Sequence, residues 1–267
     1  MKLKSPWIIK PHTTVRLAGY DASSAGSLSE AASAAVVSKQ KLQLAKLQNV
    51  LYAGRQKAIL VVLQGMDTAG KDGTISHIFS GINPQGCDVS SFKVPTELEA
   101  RHDFLWRCHQ AAPAKGIIGI FNRSHYEEVL SPRVHKLLSA KEVRQRLEDI
   151  NQFESMLAAN GTIILRFFLH ISRDEQRRRL QARLDDPEKH WKFSEADLRE
   201  RQFWPAYESA YDDILSHTSR KHAPWFVIPA NHKHFRNLTI STILVDAVKR
   251  LKLAYPKPTM DVSKIKL

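Results

Sequence analysis

Seven consecutive residues, Gly65 to Lys71, place two glycines and a lysine at the spacing G-x-x-x-x-G-K. Glycines let a backbone curl until successive N–H groups point at one anion. The N-terminus of a following helix adds partial positive charge, and a lysine ammonium brings a mobile full charge to phosphate oxygens. This is the pattern of a phosphate-cradling loop between a strand and a helix. Its candidate contacts are Gly65, Ala69, Gly70, Lys71, Asp72 and Gly73. Asp72 occupies the position where the strict motif has the Ser or Thr that ligates magnesium. On the first turn of a helix it suits a salt bridge better. Asp67, inside the loop, is an acid beside a phosphate site, which is unfavourable unless a cation or proton donor intervenes. It suits a magnesium ligand or an acceptor that orients the attacking group. An aspartate can also simply cap its own loop amides.

A second group is cationic. Arg177, Arg178, Arg179 and Arg183 follow one another without an acid between them, on roughly one and a half helical turns. Arg179 and Arg183 share a face, and Lys189 and Lys192 follow around Pro187. A charge run can be only a solvated face; this one fits a mobile basic lid over phosphate. Trp191, Trp204 and Tyr207 read as packing residues. His232 and His234 have nothing nearby to complete a metal site and read as solvated. Cys87 and Cys108 match no metal or redox spacing and read as free thiols.

These groups need elements to position them. The apolar run 58–63 reads as a strand leading into the loop, and 71–79 as the helix after it. Further strands are expected at 88–94, 116–121, 162–171 and 225–228. Helices are expected at 29–53, with Ser29 as N-cap and Gly54 as stop, and at 96–111, 140–159, 172–184, 195–215 and 235–253. Pro205 should break the helix at 195–215. Strands alternating with helices predict a parallel sheet covered on both faces. Ligands then sit at the carboxyl ends of the strands, where the loop, Asn122-Arg123-Ser124 and Pro229-Ala230-Asn231 converge.

The chain has 267 residues and a net charge of +13. So basic a chain usually meets a polyanion: nucleic acid, anionic lipid or a phosphate-rich substrate. No apolar run approaches a membrane span, the start has no secretory apolar region, and no nucleic-acid recognition signature is present.

Five stretches together resemble the family-2 polyphosphate kinases: LQGMDTAGKDGTI (63–75), HDFLWR (102–107), IFNRSHYEEVL (120–130), DDPEKHWKF (185–193) and APWFVIPANHK (223–233). The resemblance implies a three-layer α/β/α P-loop kinase fold with a parallel five-stranded sheet, similar to thymidylate kinase. An N-terminal arm and helix (1–55) would precede a core (56–267) with a helical lid at about 173–205. It implies reversible phosphoryl transfer between inorganic polyphosphate and the adenine nucleotides AMP, ADP and ATP. The cofactor would be Mg2+, with Mn2+ as a substitute, and the protein a cytoplasmic homo-oligomer engaging neither nucleic acid nor membrane. By position, Asp67, Lys71, Asn122 and Arg123 would carry the chemistry. Lys71, Arg178, Arg179, Arg183, Lys189 and Lys192 would hold polyphosphate with the loop. Asp67, Lys93, Asn122, Arg123, Tyr126, Glu127 and Arg133 would hold nucleotide, with Asp67 also a metal ligand.

Many family members carry Asp where this chain has Asn122. The subgroup accepting both AMP and ADP is similar to this chain in reading N-R-S-H-Y-E. The competing readings are an ATP-dependent nucleoside monophosphate kinase, and a non-enzymatic polyanion- or nucleic-acid-binding protein.

Overall fold

The chain was analysed as a computed structural model, in which residues 5–193 and 195–265 are described. In order, its helices and strands are α1 (Glu30–Gly54), β1 (Ala58–Gln64), α2 (Lys71–Ile78), β2 (Cys87–Ser91), α3 (Glu97–Ala100), α4 (Trp106–Gln110), β3 (Ile118–Asn122), α5 (Glu127–Val134), α6 (Ala140–Ala159), β4 (Thr162–His170), α7 (Arg173–Leu184), α8 (Glu195–Gln202), α9 (Trp204–Thr218), β5 (Trp225–Pro229) and α10 (Lys233–Lys249). The five strands form one parallel sheet in the order β2-β3-β1-β4-β5. The chain thus moves one way from β1 and then back past it. Right-handed crossovers put helices on opposite faces when that direction reverses. Accordingly α1, α2 and α10 pack together, and α5, α6 and α9 pack together. β1 lies at the centre, buried along its whole length, and delivers the phosphate loop at the point where strand order switches.

Local chemistry explains most boundaries. Ser29, Ser139 and Ser172 each accept a hydrogen bond from a first-turn amide of the helix they precede, which satisfies donors that the helix cannot. The stop of α1 differs from expectation by one residue. Gly54 is still helical, and Arg55 takes the left-handed conformation, φ 45°. The expected helix at 96–111 is two short ones. Asp103 accepts from the Leu105 amide at 2.9 Å, so turn chemistry interrupts the periodic pattern. α5 was not expected, because Pro132 sits inside it. Proline has no N–H to give to the carbonyl four residues back. Here Arg146 donates to that carbonyl, Glu128 O, at 2.5 Å. The break between α8 and α9 falls where Pro205 predicts it.

The N-terminal arm belongs to the same core. Ile9, Val15 and Leu17 are buried in one cluster with the sheet residues. The arm pairs with β5 through the Ile9 amide on Trp225 O and the Val227 amide on Trp7 O, both 2.9 Å. Among the described residues no helix is long and apolar enough to cross a membrane.

Candidate active site

The loop after β1 reverses the chain through three left-handed positions. Gly65 has φ 153°, Thr68 φ 64° and Gly70 φ 99°. A side chain at Gly70 is excluded by space as well as conformation, since a Cβ there would lie 2.0 Å from Arg236 Nη1. Lys71 opens α2 and curls back over the loop. Its Nζ donates to Gly65 O at 2.7 Å and to Met66 O at 3.4 Å. It is therefore half-buried and tethered rather than exposed, as an empty phosphate site would suggest. Burial pushes its pKa down, Arg123 adds to the effect, and Asp67 partly opposes it. Ala69 brings no free N–H to a ligand, because its amide closes a turn on Met66 O. The Thr68 hydroxyl is buried without a partner, which leaves a hydroxyl at the loop that the sequence reading overlooked.

Two cavities flank the loop. On the α1/α2/α10 side lies a groove of about 590 Å³. Gly70, Gly73, Arg179, Arg183 and Lys189 meet in its wall as the sequence suggested, joined by Lys233, His234 and Arg236, which it did not suggest. His234 is thus a wall residue and not simply solvated. Arg178 and Lys192 do not reach this groove. Arg178 is 73% exposed and pairs with Glu175 at 2.7 Å, and Lys192 lies against the exposed Trp191 ring. Trp191 is therefore not a packing residue. Arg179 is spent on the scaffold. Its Nε donates to Glu175, its Nη1 to Thr68 O and Ala69 O, and its Nη2 to Ala230 O and Asn231 O, all between 2.6 and 3.1 Å. It clamps the phosphate loop to the turn after β5 and has no N–H left over.

On the α5/α9 side lies a cleft of about 310 Å³, lined by Gly65, Asp67, Arg123, Glu127, Trp204, Tyr207 and Tyr211, among others. Arg123 has left-handed φ, 62°, a conformation that costs a non-glycine residue roughly 1 kcal/mol. It sits between two acids, 3.0 Å from Asp67 Oδ1 and 3.9 Å from Glu127 Oε2. Burial raises the Glu127 pKa, against the pull of Arg123 and Lys71. Asn122 donates to Asp72 Oδ1 at 2.7 Å. Asp72 therefore bonds a neutral amide across the site, not a cation on its own helix. Tyr207 donates to Glu200 at 2.6 Å and Trp204 is buried.

Two residues expected on the nucleotide lie elsewhere. Tyr126 is 0% exposed, and its hydroxyl bonds Glu154 and Arg166. A fully enclosed ring cannot touch a ligand. Arg133 pairs with Asp213 and lines a separate cavity between α6 and α9. Lys93 is exposed next to the cleft residue Val94, and its carbonyl accepts from Arg107 Nη1 at 2.8 Å.

Tyr126 instead belongs to a buried polar knot beneath the cleft. Glu154 accepts from Arg166 at 2.7 Å and lies 3.1 Å from His125 Nε2. Arg166 also donates to Thr218 O at 2.8 Å. A buried charge is costly unless so paired, and Arg166 holds the Glu154 carboxyl below its usual range against the effect of burial. The knot fixes His125 and Tyr126, and so the loop carrying Asn122 and Arg123. Ser124 adds to this, accepting from Gln64 at 3.1 Å and from the Tyr126 amide at 3.2 Å. No sequence signal marked Glu154 or Arg166, which lie on unrelated elements.

A family model described as Polyphosphate kinase 2 matches residues 27–255. The chain is 48% identical over 223 residues to the AMP/ADP-polyphosphate phosphotransferase of Meiothermus ruber, covering 84% of each chain. It is 48% identical over 229 residues to the ADP-polyphosphate phosphotransferase of Rhodopseudomonas palustris, covering 81% of this chain and 79% of that one. The crystal structure of polyphosphate kinase 2 from Arthrobacter aurescens superimposes with a TM-score of 0.93 at 43% identity, over 96% of this chain and 92% of that one.

Proposed function

This chain belongs to the polyphosphate kinase 2 family, and we propose that it moves the terminal phosphoryl group between inorganic polyphosphate and both AMP and ADP, reversibly and with magnesium. The observation that carries the proposal is the position of the phosphate loop, between a cationic groove and a cleft that holds carboxylates, aromatics and one arginine. A long anion suits the groove, and a nucleotide suits the cleft.

In the forward direction an oxygen of the acceptor's last phosphate attacks the end phosphorus of polyphosphate. The bond to the next bridging oxygen breaks, and the shortened chain leaves with that electron pair. The attacking oxygen is already anionic, so no strong base is required. Catalysis is positioning plus charge stabilisation. Lys71 exchanges Gly65 O and Met66 O for phosphate oxygens. Arg123, at the mouth of the cleft, neutralises charge on the transferring group.

Magnesium in such sites takes one or two carboxylates and completes its shell with phosphate oxygens and water. Asp67 and Glu127 flank Arg123 and fit that requirement. Among the described residues no cluster of three metal-ligating side chains exists, in keeping with an ion that arrives with its phosphates. When bound it would supply charge neutralisation.

Use of two acceptors rests on Asn122. ADP carries one phosphate more than AMP, and a neutral side chain repels it less than a carboxylate would. The amide can also donate to a phosphate oxygen. The Meiothermus ruber relative, by its name, acts on both AMP and ADP.

The test offers AMP, ADP, GMP and GDP separately, with polyphosphate and magnesium and no ATP. AMP should yield ADP first and ATP later. Pure protein that stops at ADP, or refuses AMP, overturns the dual-acceptor proposal. An ATP-dependent monophosphate kinase would show no dependence on donor chain length.

A further inference from the structure

Arg236 stands on the first turn of α10 and is 3% exposed. A buried guanidinium ordinarily faces a carboxylate. This one has no ion pair among the described residues. Its Nε and Nη2 both lean on the neutral Asn237 Oδ1, at 3.0 and 2.9 Å, and its Nη1 on Ala69 O at 3.3 Å. Arg179, another cation, approaches the same glycine, Gly70, and its charge lowers the Arg236 pKa further. The charge is placed with precision. A Cβ on Gly70 would lie 2.0 Å from its Nη1, and one on Gly73 3.8 Å from its Nη2. The guanidinium therefore packs beneath the phosphate loop and the first turn of α2, and it forms part of the groove floor.

We propose that Arg236 is a positioning residue for the polyphosphate side of the reaction, a buried cation whose missing counter-charge is the phosphate bound on the loop above it. The inference rests on the groove being the donor site. Two cations under one loop repel each other and pay for dehydration while the loop is empty. Burial, and Arg179 beside it, pull the Arg236 pKa down to about 10. An anion on the loop adds an attraction that offsets both, little screened because the guanidinium is enclosed. Arg236 also holds Ala69 O, so the same anion draws the loop and α10 together. The consequence is linkage: anion binding stabilises the folded protein partly through a residue that need not touch the anion.

The experiment compares wild type, Arg236→Met and Arg236→Lys by thermal unfolding with and without tripolyphosphate, and by steady-state kinetics with polyphosphate and AMP. Arg236→Met removes a charge that is unpaired in the empty protein, so its anion-free Tm should match or exceed wild type. Its rise in Tm with tripolyphosphate should fall by more than half. Its KM for polyphosphate should rise at least tenfold while its KM for AMP stays within twofold. Arg236→Lys keeps the charge and should keep most of the tripolyphosphate effect. A Met variant with the wild-type tripolyphosphate shift and donor KM overturns the proposal. So does a Lys variant no better than Met, since the role would then be the geometry of the guanidinium and not its charge. If the Met protein does not fold, the Lys protein decides. A tripolyphosphate shift and donor KM within threefold of wild type support the proposal, and donor and acceptor KM raised together overturn it. Wild-type protein that fails to use polyphosphate at all would instead remove the functional proposal, which this design reads separately.

Discussion

The two cavities on either side of the phosphate loop hold their polar groups in opposite ways. In the groove, Arg183, Lys189 and Lys233 stand at or near the surface, and no one of them is fixed at a single point by the core. In the cleft, Arg123, Asp67 and Glu127 hold one another, and the strand ends beneath them are tied to the Glu154–Arg166 knot. A groove of charges near the surface suits a repeating anion at any register. A cleft of interlocked groups suits a small set of closely related molecules. The contrast predicts that the exposed groove residues Arg183, Lys189 and Lys233 are individually replaceable, and that the cleft and loop residues, with the buried Arg236, are not.

Lys71 holds the loop between the two sides through Gly65 O and Met66 O, and its removal should have the largest effect. Lys71→Ala should lower kcat/KM at least a hundredfold, about 2.7 kcal/mol of transition-state stabilisation. A variant retaining a tenth of wild-type kcat/KM would take Lys71 out of the chemistry. Gly70→Ala should come next, with donor KM raised more than tenfold and AMP KM little changed, because the added methyl collides with Arg236 and favours another φ. Equal damage to both substrates would show the loop failing as a whole.

The pH profile should separate free and bound states. Lys71 titrates below its ordinary 10.5 in the empty site, so its ammonium is lost earlier as pH rises. The alkaline limb of kcat/KM, which reports the free enzyme, should fall below that value. The limb of kcat should lie higher, because bound phosphate restores the charge. Coincident limbs would disconnect Lys71 from the profile.

Lys189→Gln should raise donor KM only two- to fivefold, and the difference should shrink in high salt, as expected of an exposed charge. A tenfold loss would mean that the groove is as interlocked as the cleft. The smallest kinetic effect should come from Tyr126→Phe. AMP and ADP KM should stay within twofold while stability falls by about 1 kcal/mol, the usual loss for a buried hydrogen bond. A nucleotide KM raised tenfold at unchanged stability would return Tyr126 to the ligand.

The sequence was most informative where local chemistry acts alone. Ser29 and Ser172 mark the starts of α1 and α7, and Pro205 marks the α8–α9 break, because caps and proline geometry need only neighbours. Asp67, Arg123 and Glu127 do meet in one cleft, since strand ends in a parallel sheet converge. What could not be read depends on partners distant in sequence. Arg146 rescues the Glu128 carbonyl that Pro132 leaves open, which allows α5. Tyr126 sits in a motif beside ligand-facing residues, yet it turns inward because Glu154 and Arg166 wait there. Arg179 looked like one of four equivalent arginines until the carbonyls of two loops claimed four of its donors and Glu175 the fifth.

The pairing of the N-terminal arm with β5 guards the protein in a way unrelated to catalysis. β5 ends the sheet with Trp225, Phe226, Val227 and Ile228, all buried. A short apolar strand with open amides and carbonyls is a template for another chain's strand. By donating the Ile9 amide to Trp225 O and accepting the Val227 amide on Trp7 O, the arm uses up that template from within. Loss of the pairing at Trp7, Ile8 and Ile9 would leave the fold's central strands untouched and turn its last one into an adhesive edge, so the contribution of that pairing lies in keeping a concentrated solution of the enzyme clear.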